Sequence, residues 1–202
     1  MASRVDLHVH SKFSDRPTEW ILRRIGSPEC YTEPKAIYET AKRRGMQFVT
    51  ISDHNCIQGA LEIAHHEDVF IGNEITTYFP EDGCKVHVLA WNLSELQFEV
   101  IQRLRENIYD LRDYLWQSKI AHACAHPLYS INQRLTLDHF EKLLVLFNTF
   151  ETMNGGRNKR GNELMFAILK NLDQQQFEEI ADRHQLRPCG GSPWMKGVHR
   201  WI

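Results

Sequence analysis

The segment VDLHVHSKFSD, residues 5–15, sets two histidines one residue apart, with Asp15 five residues after the second. Val5 and Leu7 alternate with Asp6 and His8, which is the period of a strand. On a strand, residues i and i+2 share a face, so His8 and His10 present two imidazoles side by side. Such a pair could hold a metal; it could equally be two polar residues on a half-exposed strand. Further metal-capable side chains recur along the chain at Asp53, His54, Glu74, His87, His126 and Glu151. The 202 residues include 11 histidines, a high number that favours metal or proton chemistry for some of them.

The elements that must position these side chains alternate between strand and helix patterns. A first strand is expected over about 4–10, followed by an irregular stretch, 11–33, broken by Pro17, Gly26 and Pro28. Pro34 suits the first turn of a helix reaching Arg44, and Gly45 suits its end. MQFVTIS reads as a buried strand ending at DHN, residues 53–55, and a short helix is expected over 57–65. VFIGNEI is an apolar strand carrying Glu74, and KVHVLAW an alternating one carrying His87. Residues 94–117 show helical spacing of Leu96, Val100, Leu104, Ile108, Leu111 and Leu115, a stripe for core packing. KIAHACAHP is a fifth strand stopped by Pro127, and LFNTFETMN a sixth, after a helix at 137–146. Helices at 161–171 and 173–185 lead to a seventh strand, LRPCGGS. This order predicts a mostly parallel α/β architecture able to close as a barrel.

The candidate residues track the strand ends. His8 and His10 close strand one, Asp53 and His54 strand two, Glu74 strand three, His126 strand five and Glu151 strand six, while His87 lies on strand four. In a parallel barrel the C-terminal strand ends meet on one rim, where catalytic residues gather.

The motifs DLHVHSKFSD (6–15), ISDHN (51–55), GNEIT (72–76), KVHVLAWN (85–92), AHP (125–127) and ETMNG (151–155) resemble those of the PHP family, the polymerase and histidinol phosphatase type of metal-dependent phosphoesterase. The resemblance covers the chain up to about residue 192. It implies a distorted (βα)7 TIM-like barrel, a single PHP-like domain over residues 1–202, with a two- or three-metal centre on its C-terminal rim. It implies further that His8 and His10 bind one ion, that Glu74 bridges it to a second, and that His87 and His126 bind the second. Asp15 and His54 match positions that hold a third ion, and Asp53 would orient a ligand. A histidine and carboxylate set with open positions suits Zn, Mn or Fe more than Ca. Two adjacent cations can polarise a phosphate and bring the pKa of a bridging water into the neutral range, so no serine or cysteine nucleophile is required. On this reading Glu74 and Asp53 are the catalytic carboxylates, and Glu151 supports the ligands or the substrate rather than binding metal.

Other residues have plainer uses. His122 and Cys124 share a strand face with His126 and are expected to pack; His65, His66, His139 and His184 are expected on helix surfaces. The run NGGRNKRGN, residues 154–162, offers Arg157, Lys159 and Arg160 to a phosphate, or is simply a solvated loop. Arg134 has a similar claim, and the 16–33 loop with Arg16, Trp20, Arg23 and Arg24 could cover the site.

The C-terminal motif departs from the family, which has Gly-Ser-Asp-x-His after the seventh strand. Here Gly191 and Ser192 are followed by Pro193, Trp194 and Met195, and the next histidine is His199. Proline has no ligand atom. A truncated or damaged chain end, lacking the last helix, is the expected reason; a variant with reduced metal binding and a partner that supplies the ligands are the alternatives.

A net charge of −2 gives no sign of broad attraction to nucleic acids or membranes, though a nucleotide or nucleic acid is still admitted as substrate. The 5 cysteines are spread without a CxxC, which suggests free thiols in a reducing compartment. With no apolar leader or membrane-length run, the expected setting is the cytoplasm. The expected function is hydrolysis of small phosphate esters with two or three divalent transition metals; the alternatives are a PHP-like binding or regulatory module without turnover, and an amidohydrolase-type reaction. Self-association is expected if the barrel seam is poorly covered.

Overall fold

The computed structural model describes residues 3–14, 24 and 30–188. Its elements run α1 (Pro34–Arg43), α2 (Gln58–Ile63), β1 (Gly72–Tyr78), β2 (Lys85–Trp91), α3 (Glu95–Leu104), α4 (Ile108–Gln117), β3 (Ala121–Cys124), α5 (Leu137–Leu146), α6 (Lys159–Asn171) and α7 (Gln174–His184). The result is a mixed α/β fold. The chain falls into two compact units, one of the residues up to Thr76 with Leu89–Arg103, the other of Thr77–Val88 with the residues from Leu104 onward.

Strands β1, β2 and β3 form one sheet in that order. Only residues 79–84 join β1 to β2, too few for a parallel crossover. The Phe79 N–H donates to the Cys84 carbonyl at 2.9 Å, and Gly83 takes φ +71° in the turn. These two strands are therefore antiparallel, within an architecture whose sequence pattern predicts mostly parallel pairing. Parallel pairing occurs as isolated bridges, Val49–Val69 and His54–Glu74 in the first unit and Cys124–Phe150 in the second. Residues 4–10 run beside 47–54 through single bonds, such as Ser52 N–H to the Val9 carbonyl at 2.8 Å. Among the described residues the strands expected for a (βα)7 barrel thus make one three-stranded sheet and separate bridges, not a closed ladder. The expected seventh strand lies mostly outside the described residues.

Each unit has its own apolar centre. In the first, Ile37 of α1, Val49, Ile51, and Ala60 and Ile63 of α2 are buried together, with Val9, Tyr38 and Ile71 against them. Burying one such aliphatic side chain is worth about 1.5–3 kcal/mol, so this cluster anchors both strand segments that carry the histidines. In the second, Leu111 and Leu115 of α4, Leu143 and Leu146 of α5, Met165 and Leu169 of α6 and Phe177 of α7 are buried.

The long helical pattern is two helices. Asn107 ends the run, because its side chain accepts the Tyr109 N–H and starts α4 afresh. Leu96 is exposed, and Ile101 takes the buried position in α3. His139 and His184 also depart from the expected helix surface. His139 is buried against Phe79 and pairs with Asp82 at 3.3 Å; His184 pairs with Glu141 at 2.7 Å. Asp82 faces one ring nitrogen of His139, and Thr136 Oγ1, in the N-cap of its own helix, lies 2.8 Å from the other; His184 faces Asp138 and Glu141 of α5. No helix among the described residues is long and apolar enough to cross a membrane.

Candidate metal centre

In the first unit three imidazoles converge on one carboxylate oxygen. Glu74 Oε2 lies 2.9 Å from His8 Nε2, 3.0 Å from His10 Nε2 and 3.3 Å from His54 Nδ1. The local structure explains the convergence. His8 and His10 project from one side of a segment held to 47–54 at the Val9 carbonyl, and their ring centroids are 5.1 Å apart. His54 and Glu74 are partners in a parallel bridge, so their side chains leave the backbone as neighbours. The His54 ring stacks on His10 at 4.8 Å. Glu74 is nearly sealed from solvent at 1 % exposure, whereas His10 keeps 21 %, which leaves one side of the cluster open.

The ligand atoms of His8, His10 and Glu74 all lie within 4.8 Å of one another, a spacing suited to one cation. Three ring nitrogens crowd a single carboxylate oxygen, and the His54 Nδ1 approach at 3.3 Å is not a hydrogen bond, whereas a cation among them would use every lone pair. The donor set, imidazole nitrogen with carboxylate oxygen, fits a divalent transition metal. His10 is oriented from behind, its Nδ1 lying 3.2 Å from Ser14 Oγ, and such outer contacts fix which ring nitrogen faces a metal.

Asp53 stands in a different role from its neighbour His54. Its carboxylate accepts the Ser11 backbone N–H and the Ser11 hydroxyl, each at 2.6 Å. It is buried beneath Gly59 of α2, where any Cβ would collide with Asp53 Oδ2 and Ser11 Oγ. Burial pushes the Asp53 carboxyl above its usual range, and the two Ser11 donors oppose that. The carboxylate thereby fastens the Ser11–Ser14 turn that follows His10. Ser14 Oγ in turn accepts the His54 N–H at 3.3 Å, tying the turn to the second strand segment. Asn73 adds a brace, donating to the carbonyls of Asp53 (2.8 Å) and Cys56 (3.0 Å). Sequence reasoning missed Ser11, Ser14, Gly59 and Asn73; the two serines inside the HSKFS stretch were the available signal.

The second unit holds another pair. His87 on β2 and His126 just beyond β3 are both buried, with ring centroids 5.2 Å apart. His126 takes φ +28°, a backbone state that costs a non-glycine residue roughly 1–3 kcal/mol. Glu151 holds it there by accepting the His126 N–H at 2.8 Å, while Asn154 Nδ2 lies 3.1 Å from each Glu151 oxygen. A cleft of about 290 Å³ opens at this point, lined by His126, Tyr129, Glu151, Arg157, Asn162 and Met165 among others.

The remaining candidates scatter. Arg157 lies at the cleft, its guanidinium 3.7 Å from the centroid of the Tyr129 ring. Arg160 is exposed in the first turn of α6. Arg134 is exposed and donates through Nη1 to the Asp82 carbonyl beside the β1–β2 turn, and it does not line the cleft. His122 packs: it is buried, with Nδ1 2.7 Å from the Ile120 carbonyl. His66 stacks on Tyr38. Asp15, Arg16 and the Pro193 region lie outside the described residues.

No family model matches the chain. A curated uncharacterised protein of Methanocaldococcus jannaschii is 38% identical over 79 residues, covering 37% of this chain. The chain spans 44% of that relative's length. Among solved structures, an amidohydrolase from Chromobacterium violaceum, with bound sulfate and no metal, aligns with TM-score 0.58 at 15% identity over 98% of this chain and 88% of its own. A protein proposed to be a metal-dependent phosphoesterase from Bifidobacterium adolescentis aligns with TM-score 0.48 at 17% identity, over 96% and 88%. The amidohydrolase likeness shows a shared fold.

Proposed function

We propose that the chain is a PHP-type, metal-dependent hydrolase of small phosphate esters. The observation that carries this reading is the convergence of His8, His10 and His54 on Glu74 Oε2 at 2.9–3.3 Å. His8, His10 and Glu74 would hold one divalent cation; His87 and His126 would serve a second, and Asp15 with His54 a third. A cation so held supplies a Lewis acid for a phosphoryl oxygen and acidifies its coordinated water. The chain's own residues do the rest. Glu74 sets the negative charge of the first site, Ser14 orients His10, Asp53 fixes the turn after His10, and Glu151 holds His126 in its left-handed backbone. The open side at His10 is the approach for substrate and water. A reducing, cytoplasmic setting fits the free thiols of Cys30, Cys56, Cys84 and Cys124 among the described residues.

The test is reconstitution of the full chain with Zn, Mn or Fe, elemental analysis, and a screen of phosphate monoesters and diesters against amides. Stoichiometric metal with turnover of phosphate esters, lost reversibly on chelation and levelling off above about pH 7, is the expected result. Turnover of amides alone would favour an amidohydrolase-type reaction. Metal without turnover of either would favour a binding or regulatory module, and absence of metal would end the reading.

A further inference from the structure

The cleft of the second unit carries information about the substrate beyond its phosphate. Pro127, Leu128, Tyr129 and Met165 give it a wall largely of carbon, the kind of surface that takes the organic part of a ligand. One cation interrupts that wall. Arg157 is half-buried, and among the described residues no carboxylate pairs with it. Its guanidinium lies 3.7 Å from the Tyr129 ring centroid, close enough for direct contact with the ring. A guanidinium stacked on an aromatic ring is held through its π-face, which leaves its N–H donors, all in its own plane, free to grip a planar anion at two points.

Tyr129 is itself fixed. Its N–H donates to the His126 carbonyl at 2.8 Å, and its ring stands perpendicular to the His126 ring at 5.7 Å. Glu151 lines the same cleft as a buried carboxylate. Its charge disfavours a multiply charged anion more than a singly charged one in a space of about 290 Å³, and a carboxylate is the planar, singly charged anion that matches Arg157.

We infer that this cleft binds the organic part of the substrate, and that Arg157, positioned by Tyr129, recognises a carboxylate on that part. The substrate class is then a phosphate ester of a small carboxylic acid with a flat or apolar body. Arg157 is the specificity residue and Tyr129 a positioning residue. The inference rests on the phosphoesterase reading for the reacting end only.

Turnover of phenyl phosphate and of 4-carboxyphenyl phosphate by the metal-loaded full chain tests it. The carboxylated ester should be preferred in kcat/KM by about tenfold or more, mainly through KM, as befits a charge-assisted hydrogen-bonded pair. Arg157→Gln should bring the ratio close to one, and Tyr129→Leu should do the same. Tyr129→Phe keeps the ring and should keep the preference. A rate loss in Arg157→Gln that is equal for both esters would assign the arginine to the phosphoryl group and overturn the inference. If the unaltered chain cleaves neither ester, the phosphoesterase reading is left to the wider ester screen, and calorimetry of 4-hydroxybenzoate with the metal-free chain decides the cleft. Binding that Arg157→Gln abolishes sustains the inference; no binding, or binding indifferent to Arg157, overturns it.

Discussion

His54 and Glu74 are partners in a parallel β-bridge, and His54 Nδ1 lies 3.3 Å from Glu74 Oε2. The backbone register itself therefore delivers an imidazole to a buried carboxylate. The two side chains keep their separation because the Glu74 N–H donates to the Asp53 carbonyl at 3.2 Å and the Asn55 N–H to the Glu74 carbonyl at 3.0 Å. His8 and His10 add to a pair already set by the strand segments.

Glu74→Gln should damage metal binding more than any single histidine change. Its oxygen is the common neighbour of three imidazoles, and the amide is neutral but nearly isosteric. Loss of an outer contact alone typically costs 10–100-fold in metal affinity, so removal of this charge should cost at least about 100-fold. Metal titration of the variant beside His8→Asn checks it. Equal affinity in Glu74→Gln and the unaltered chain would remove Glu74 from the centre.

Gly59→Ala should destabilise the first unit and loosen the turn after His10. The new methyl would meet the Asp53 carboxylate and Ser11 hydroxyl, which are buried and hydrogen-bonded to each other. Overpacking of this kind costs roughly 1–3 kcal/mol. Urea unfolding measures that loss, and metal titration of the folded variant should show weaker binding, because His10 leads directly into the displaced turn.

Much of this centre was legible in the sequence, and the reasons differ by residue. His8 and His10 could be read together because a strand's period of two is short-range. His54 and Glu74 could be read as strand-end residues, but their pairing needed the register between two distant segments. Asp53 was harder: its partner Ser11 lies 42 positions away, and the contact depends on Gly59 having no side chain. Helix periodicity reports one face only, so it places His139 and His184 on the surface. Their acidic partners Asp82 and Glu141 come from other segments. The break at Asn107 was readable as a cap, but the apolar spacing of Leu104 and Ile108 on either side masked it.

His122 predicts a pH dependence of stability. Burial holds its pKa below the ordinary 6.5, despite the opposing hydrogen bond at the Ile120 carbonyl. The unfolded chain takes up a proton near pH 6.5 while the folded chain does not. Stability from this group is therefore complete above pH 6.5 and falls as the pH drops below it, until the lower folded pKa is reached. The difference in unfolding free energy between the unaltered chain and His122→Gln should be flat above pH 6.5 and slope by up to about 1.4 kcal/mol per pH unit below it. A parallel pair of curves across that range would show that His122 does not titrate differently on folding.

Glu151→Gln should disturb His126 without removing any atom from its ring. Glu151 accepts the His126 N–H at 2.8 Å and faces the Asn154 amide with both oxygens at 3.1 Å. A glutamine can present only one oxygen; its NH2 group must then oppose either the His126 N–H or the Asn154 NH2, donor against donor. Leaving a buried donor unsatisfied costs about 1–3 kcal/mol, and the contact that keeps His126 at φ +28° is weakened either directly or through loss of the Asn154 amide that holds residue 151. The backbone should relax toward an ordinary φ and carry the imidazole away from His87. Urea unfolding should show the stability loss. The ring proton shifts of His87 and His126, which are 5.2 Å apart and shield one another, should move together in Glu151→Gln; shifts that stay put would show that the Glu151 carboxylate does not hold His126.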